Sequence, residues 1–208
     1  MNRLKKCVIL LLISAAIFSA LGTRAYAQNQ TYTVAAGDSM WKIAVKYQVG
    51  ISEIIAANPQ IKNPSLIYPV QRITIPLQSG VKAIENRVFT LVNQERARRG
   101  LGALTNNWQL ARVARYKSTD MMNKHYFSHT SPTYGSPFKM MENFGIRFSA
   151  AGENIAKGQR TPEEVMKSWM NSPGHRANIL GGNYTQIGIG FAKDGNGVTY
   201  WTQMFIRP

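Results

Sequence analysis

Three side chains stand out as able to do chemistry together. His129 lies in FSHTSP, Glu153 in AAGENIA and His175 in NSPGHRANIL. Two imidazoles and a carboxylate can hold zinc, or can pass protons near neutral pH, where imidazole titrates. A second arrangement sits in KHYFSHTSP, where His125 and His129 are four residues apart and would share one face of a helix. The trio is scattered along the chain, so catalysis, a metal site and a buried structural hydrogen-bonded set all remain open readings. Other chemistry is poorly supplied. There is no Ser or thiol nucleophile motif, no His-Glu-x-x-His helix and no clear carboxylate pair for glycoside hydrolysis, since only Glu153 is well placed.

The elements that must position these groups are legible between Val81 and Pro208. Ile84, Val88, Leu91, Val92 and Glu95 recur at helical spacing and predict a helix from about Val81 to Arg98, ended by Gly100. Asn106 or Asn107 caps a second helix whose buried set is Trp108, Leu110, Ala111, Ala114 and Met121. His125 falls near its end, on the surface. Gly152 and its small neighbours allow close backbone approach, placing Glu153 on a short buried strand. Thr161-Pro162-Glu163-Glu164 opens a helix carrying Val165, Met166 and Trp169. Ser172-Pro173 turns the chain so that His175 begins another short helix. The tail reads as two strands joined by Asp194-Gly195-Asn196-Gly197. Helices before a terminal hairpin predict an α+β layered domain.

The amino-terminal stretch has another character. MNRLKK, the apolar run CVILLLISAAIFSALG and Ala25-Tyr26-Ala27 have the anatomy of a secretory signal peptide over residues 1–27. Cleavage there removes Cys7, the single cysteine, and with it any disulfide, thiolate or cysteine-ligated metal. An exported protein without disulfides suits a bacterial exterior. The formal charge falls from +15 to +11 as Arg3, Lys5, Lys6 and Arg24 leave. That surplus predicts an anionic partner, and export points to wall polymers or lipid headgroups rather than nucleic acid. ERARRG at 95–100 reads as a solvated helix end.

Residues 31–77 form a separate block of strand, helix, helix, strand. Tyr32-Thr33-Val34 alternates like a strand, Gly37-Asp38-Ser39 turns and caps, and Trp41, Ile43, Ala44 and Tyr47 fit one helical face. Ile54-Ile55-Ala56 follows, stopped by Asn58-Pro59, and Arg72-Ile73-Thr74-Ile75 closes the block. A polar hinge at Gln78-Ser79-Gly80, within a linker at 78–82, leads to the larger domain, 83–208.

Val34, Gly37-Asp38-Ser39-Met40-Trp41, Ile43-Ala44, Asn58-Pro59 and Ile67-Tyr68-Pro69 come in the order of a LysM module, which the block resembles. Val70 stands where that pattern has glycine. The resemblance implies a βααβ fold and binding of N-acetylglucosamine glycans such as peptidoglycan or chitin. The ligand would lie between Gly37, Asp38, Ser39 and Met40 on one loop and Asn58, Pro59, Gln60 and Ile61 on the other. Met40 and Ile61 would offer apolar contact. Phe127-Ser128-His129, Gly152-Glu153-Asn154-Ile155, Ser172-Pro173-Gly174-His175-Arg176, Tyr184-Thr185-Gln186 and Tyr200-Trp201-Thr202-Gln203 likewise resemble the CAP, or SCP-like, superfamily. That implies an α-β-α sandwich with a central cleft. Many members line the cleft with two His and two Glu, sometimes holding zinc. Here Ser172 and Asn183 occupy two of those positions, and His175 is the nearby residue able to restore a second imidazole.

The expectation is therefore an exported wall or spore-envelope protein of the LysM–CAP type. It binds peptidoglycan and presents a His129–Glu153–His175 cleft, with zinc or another divalent ion held through His129 and His175 as the candidate cofactor. The alternative is a tethered hydrolase acting on wall peptide or glycan through the same residues. Carriage of a lipid or small ligand is a third.

Overall fold

The computed structural model describes residues 28–208. The expected signal segment, 1–27, lies outside the described residues. The first unit is built from β1 (Gln28–Thr33), α1 (Met40–Tyr47), α2 (Ile51–Ala56) and β2 (Arg72–Leu77). β1 and β2 pair antiparallel, with Tyr32 opposite Ile73. Between β1 and α1 the chain reverses at Gly37, whose φ of +82° belongs to the left-handed region glycine tolerates. Asp38 fastens that turn by accepting from the Tyr32 hydroxyl at 2.7 Å and from Ala35 N–H at 2.8 Å. Ser39 caps α1 by accepting from Lys42 N–H.

Met40, Ile43, Ala44, Val49, Ile54, Ile73 and Ile75 make the core of this unit. Trp41 does not join it. At helical spacing Met40, Ile43, Ala44 and Tyr47 form the inward stripe, and the Trp41 side of α1 is left 61% exposed. Asn58 is fully buried, and its amide ties α2 to β2: Nδ2 donates to the carbonyls of Ile54 and Thr74, while Oδ1 accepts from Thr74 N–H at 2.8 Å. Val70 holds φ +71°, a conformation unfavourable for a β-branched residue.

The residues expected as a linker are mostly helix. α3 (Ser79–Ala97) starts one residue after Gln78, so 78–82 supplies its approach and first turn. The second unit continues with β3 (Thr105–Asn106), α4 (Trp108–Asn123), α5 (Pro137–Asn143), β4 (Ala150–Lys157), α6 (Pro162–Asn171), α7 (Pro173–Leu180), β5 (Gln186–Lys193) and β6 (Thr199–Arg207). The strand order is β3-β5-β6-β4, antiparallel except for the short parallel β3–β5 pairing. α3, α6 and α7 cover one face, where Val88, Val92, Trp169 and Ile179 pack on Ile187, Ile189, Trp201 and Phe205. α4 and α5 cover the other, with Leu110, Val113, Met140 and Met141 on Met204 and Ile206. The result is the expected α-β-α sandwich.

Two glycines decide how closely the layers approach. A Cβ on Gly188 would collide with the backbone of Leu110 and Ala111, and one on Gly190 with that of Ala114 and Arg115. α4 therefore rests directly on β5. One charged residue differs from expectation. Arg96, placed in a solvated run, is 3% exposed, because its guanidinium donates to the carbonyls of Gly102, Ile179 and Gly181 and so joins α3 to the end of α7. On the same helix Glu85 is buried, held by the Arg115 guanidinium at 2.6 and 2.9 Å.

Candidate functional site

β4 is an edge strand, and alternation along it sends Glu153 to the α4 face and Asn154 to the face covered by α7. His129 arrives from the loop after α4 and His175 from the first turn of α7. The two imidazoles thus come from opposite layers, on either side of the edge strand β4.

His129 and Glu153 form the centre. His129 Nδ1 lies 2.7 Å from Glu153 Oε1. The carboxylate side chain is 1% exposed and the imidazole 52% exposed, so the ring separates a buried charge from solvent. Glu153 Oε2 is buried without a hydrogen-bond partner. Burial pushes the Glu153 carboxyl above the usual carboxylate range, with His129 and Lys117 pulling the other way. The hydrogen bond from Glu153 raises the His129 imidazole above its ordinary value. His175 is half-buried and shifted down, first by desolvation and then by the charge of His129. The fold therefore joins two of the three expected cleft residues, His129 and Glu153, by a direct bond, and no bond ties the His175 side chain to either.

The shell around them was not legible in advance. Lys117 is fully buried on α4, and its ammonium donates to the carbonyls of Ser128 at 2.8 Å and His129 at 2.7 Å. It pins the loop that presents the imidazole. Asp120, one turn further, accepts from Ser131 Oγ, the Tyr126 hydroxyl and Thr133 Oγ1. A Lys and an Asp three apart on an otherwise apolar helix face were the available signal. On the far side Asn178 donates to the Glu153 carbonyl and to Asn154 Oδ1, and Asn154 donates to the His175 carbonyl at 3.0 Å. Gly152 is required here, since a Cβ would stand 2.7 Å from the Tyr184 hydroxyl.

The donor chemistry fits a metal poorly. Glu153 occupies one nitrogen of His129, and among the described residues no three His, Cys, Asp or Glu side chains form a set able to hold an ion. Ser172 instead starts α7, and Asn183 is exposed. His125 is exposed in the turn after α4, at φ +53°, and belongs to no chelate with His129.

In the first unit the proposed glycan loops divide. Gly37, Ser39, Pro59 and Gln60 are exposed and Asp38 and Ile61 partly so. Met40 and Asn58 are buried, Met40 because it belongs to the apolar stripe and Asn58 because its amide is consumed by the backbone. Their side chains therefore present nothing to a sugar.

Comparison with known proteins decides the family. The model of the cysteine-rich secretory protein (CAP) family matches residues 89–205, more than half of the chain. The chain belongs to this family. The LysM domain model matches residues 32–76, so the protein joins a LysM module to a CAP domain. It is 55% identical over 133 residues to the uncharacterized protein YkwD of Bacillus subtilis (strain 168), covering 64% of this chain and 51% of that one. An extracellular SCP-domain protein from Bacillus anthracis str. Ames shares the fold with a TM-score of 0.57 and 37% identity, over 67% of this chain and 47% of that one. Over 45 residues, 22% of this chain and 12% of the other, it is 47% identical to SpoIVD-associated factor A of Bacillus subtilis (strain 168). The chain spans about half the length of YkwD and of the anthracis protein. No helix among the described residues is long and apolar enough to cross a membrane.

Proposed function

We propose that this is an exported envelope protein that holds peptidoglycan through its LysM module and presents the CAP cleft at the wall or spore surface. The observation that carries the reading is the complete βααβ LysM unit, with Gly37, Ser39, Pro59 and Gln60 exposed on its two loops. LysM domains generally bind N-acetylglucosamine glycans, and loop N–H and C=O groups suit the sugar acetamide. A short match to the spore coat assembly protein ExsA of Bacillus cereus, 42% identical over 48 residues, supports the spore alternative to the vegetative wall. The formal charge, +15 for the whole chain and +11 once Arg3, Lys5, Lys6 and Arg24 leave with the expected signal segment, supports a secondary attraction to anionic wall polymers or lipid. The protein is expected to sediment with purified peptidoglycan and to be released by soluble N-acetylglucosamine oligomers. Equal sedimentation after removal of residues 31–77 would refute the assignment to LysM.

A hydrolase is the second reading, favoured by one observation. The unpartnered Glu153 Oε2, beside a His129 imidazole open to solvent, is a group able to bind or polarise an incoming molecule. Release of muropeptides by the wild type, lost in His129→Ala and Glu153→Ala, would establish it. Equal product from all three would leave the CAP cleft a binding site.

A further inference from the structure

Trp41 and Trp108 belong to no apolar cluster of either domain. Trp41 is the second residue of α1 and is 61% exposed; Trp108 opens α4 in the CAP domain and is half-buried. Both line one cleft of about 180 Å³ at the junction of the two domains, floored by Val49 and Gly50 and edged by Gln109 and Arg112. The walls are fastened to each other. Arg112 Nε donates to Glu53 Oε1 at 2.7 Å, and Lys82 Nζ donates to the carbonyls of Tyr47 at 3.1 Å and Gln48 at 3.2 Å.

We infer that this cleft is a second saccharide subsite, taking one pyranose ring of the strand held by the LysM loops. The inference rests on the glycan reading of those loops. A sugar ring has an apolar C–H face and a polar rim, and the cleft offers the complements of both. Two indoles supply flat, electron-rich surfaces, and the exposed Gln109 amide and the Arg112 guanidinium supply hydrogen-bonding groups at the edge. Glu53 neutralises Arg112, so the site suits an uncharged ring better than a polyanion. The volume lies below the ~300 Å³ at which drug-sized pockets begin, which favours a single ring. Continuity selects the source: Trp41 follows the Gly37-Asp38-Ser39-Met40 segment directly, so a strand leaving that loop meets the indole next.

The test is calorimetric titration of the full chain with N-acetylglucosamine oligomers of increasing length. Wild type is expected to gain about tenfold in affinity between the shortest binding oligomer and longer ones, the increment of one aromatic–sugar contact. Trp108→Ala should abolish that increment and leave the shortest oligomer bound as before. Trp41→Ala, at an exposed position where folding is not at risk, should do the same. A full increment in both variants would overturn the cleft while leaving LysM binding intact. Equal loss at every length in Trp41→Ala would place that indole in the loop groove and overturn the cleft too. A wild type that binds no oligomer would overturn both readings.

Discussion

A carboxylate as deeply buried as Glu153 is costly unless a cation reaches it, and His129 is the group bonded to it. The pH consequence follows from the raised value of the imidazole. Protonated His129 stabilises the fold fully below the ordinary value of 6.5, and that contribution disappears as pH rises through the higher folded-state value. Glu153, raised by burial, makes ionisation unfavourable in the fold, and this cost is offset in part by the His129 hydrogen bond and the Lys117 ammonium and further while the imidazole is charged. His129→Gln is therefore expected to destabilise by about 1–3 kcal/mol near neutral pH, with a smaller difference from wild type in alkaline solution. Thermal unfolding across pH tests this, and a difference constant from acid to alkaline pH would contradict it. The sequence singled out His129, Glu153 and His175 through types and motif context. It could not show Lys117 as their support, because a buried lysine is recognised only by the loop carbonyls that surround it.

Helix α4 is the element on which the site depends, since Lys117 and Asp120 hold the His129 loop from it. Its seat on β5 exists because Gly188 and Gly190 have no side chain. Gly190→Ala should force α4 away from the sheet and cost about 1–3 kcal/mol or more. The measurement is a lowered denaturant midpoint with unchanged slope; a midpoint equal to wild type would show that the layers accommodate a methyl group. Local signals predicted much at this scale. Asn107 and Thr161 cap α4 and α6, and residues 194–197 turn between β5 and β6, because caps and hairpin turns are settled by neighbours in sequence. β3 and α5 were not foreseen. Two residues of strand carry no periodicity, and α5 is a short helix stabilised by packing Met140 and Met141 under β6.

The relation of the two domains belongs to the whole molecule. The Arg112–Glu53 pair bridges them with both side chains about four-fifths buried. Burial pulls the Glu53 carboxyl up, but Arg112 and Ser52 outweigh it and leave the value below 4.5. Its stabilising contribution is therefore present above 4.5 and lost as pH falls through the lower folded value. Gly50 belongs to the same contact, because a Cβ there would displace the Glu53 carboxylate and the Arg112 guanidinium. Gly50→Ala and Glu53→Lys are expected to loosen the junction, seen as a larger maximum dimension in solution scattering. Profiles unchanged from wild type in both would show that the junction does not depend on this pair.

By itself the sequence determined the two units, their order and most of their helices and strands, since periodicity, caps and turns are short-range properties. It also named the His129–Glu153 pair that meets at the edge of β4. Tertiary structure alone decided which side chains were left to face outward or be enclosed: Trp41 exposed, Met40 and Asn58 buried, Arg96 and Glu85 enclosed. It also turned the expected linker into the first turn of α3. The physical reason is that burial and pairing depend on what arrives from distant positions. A guanidinium on α3 meets carbonyls from the end of α7, and the imidazole on the loop after α4 meets the Glu153 carboxylate of β4.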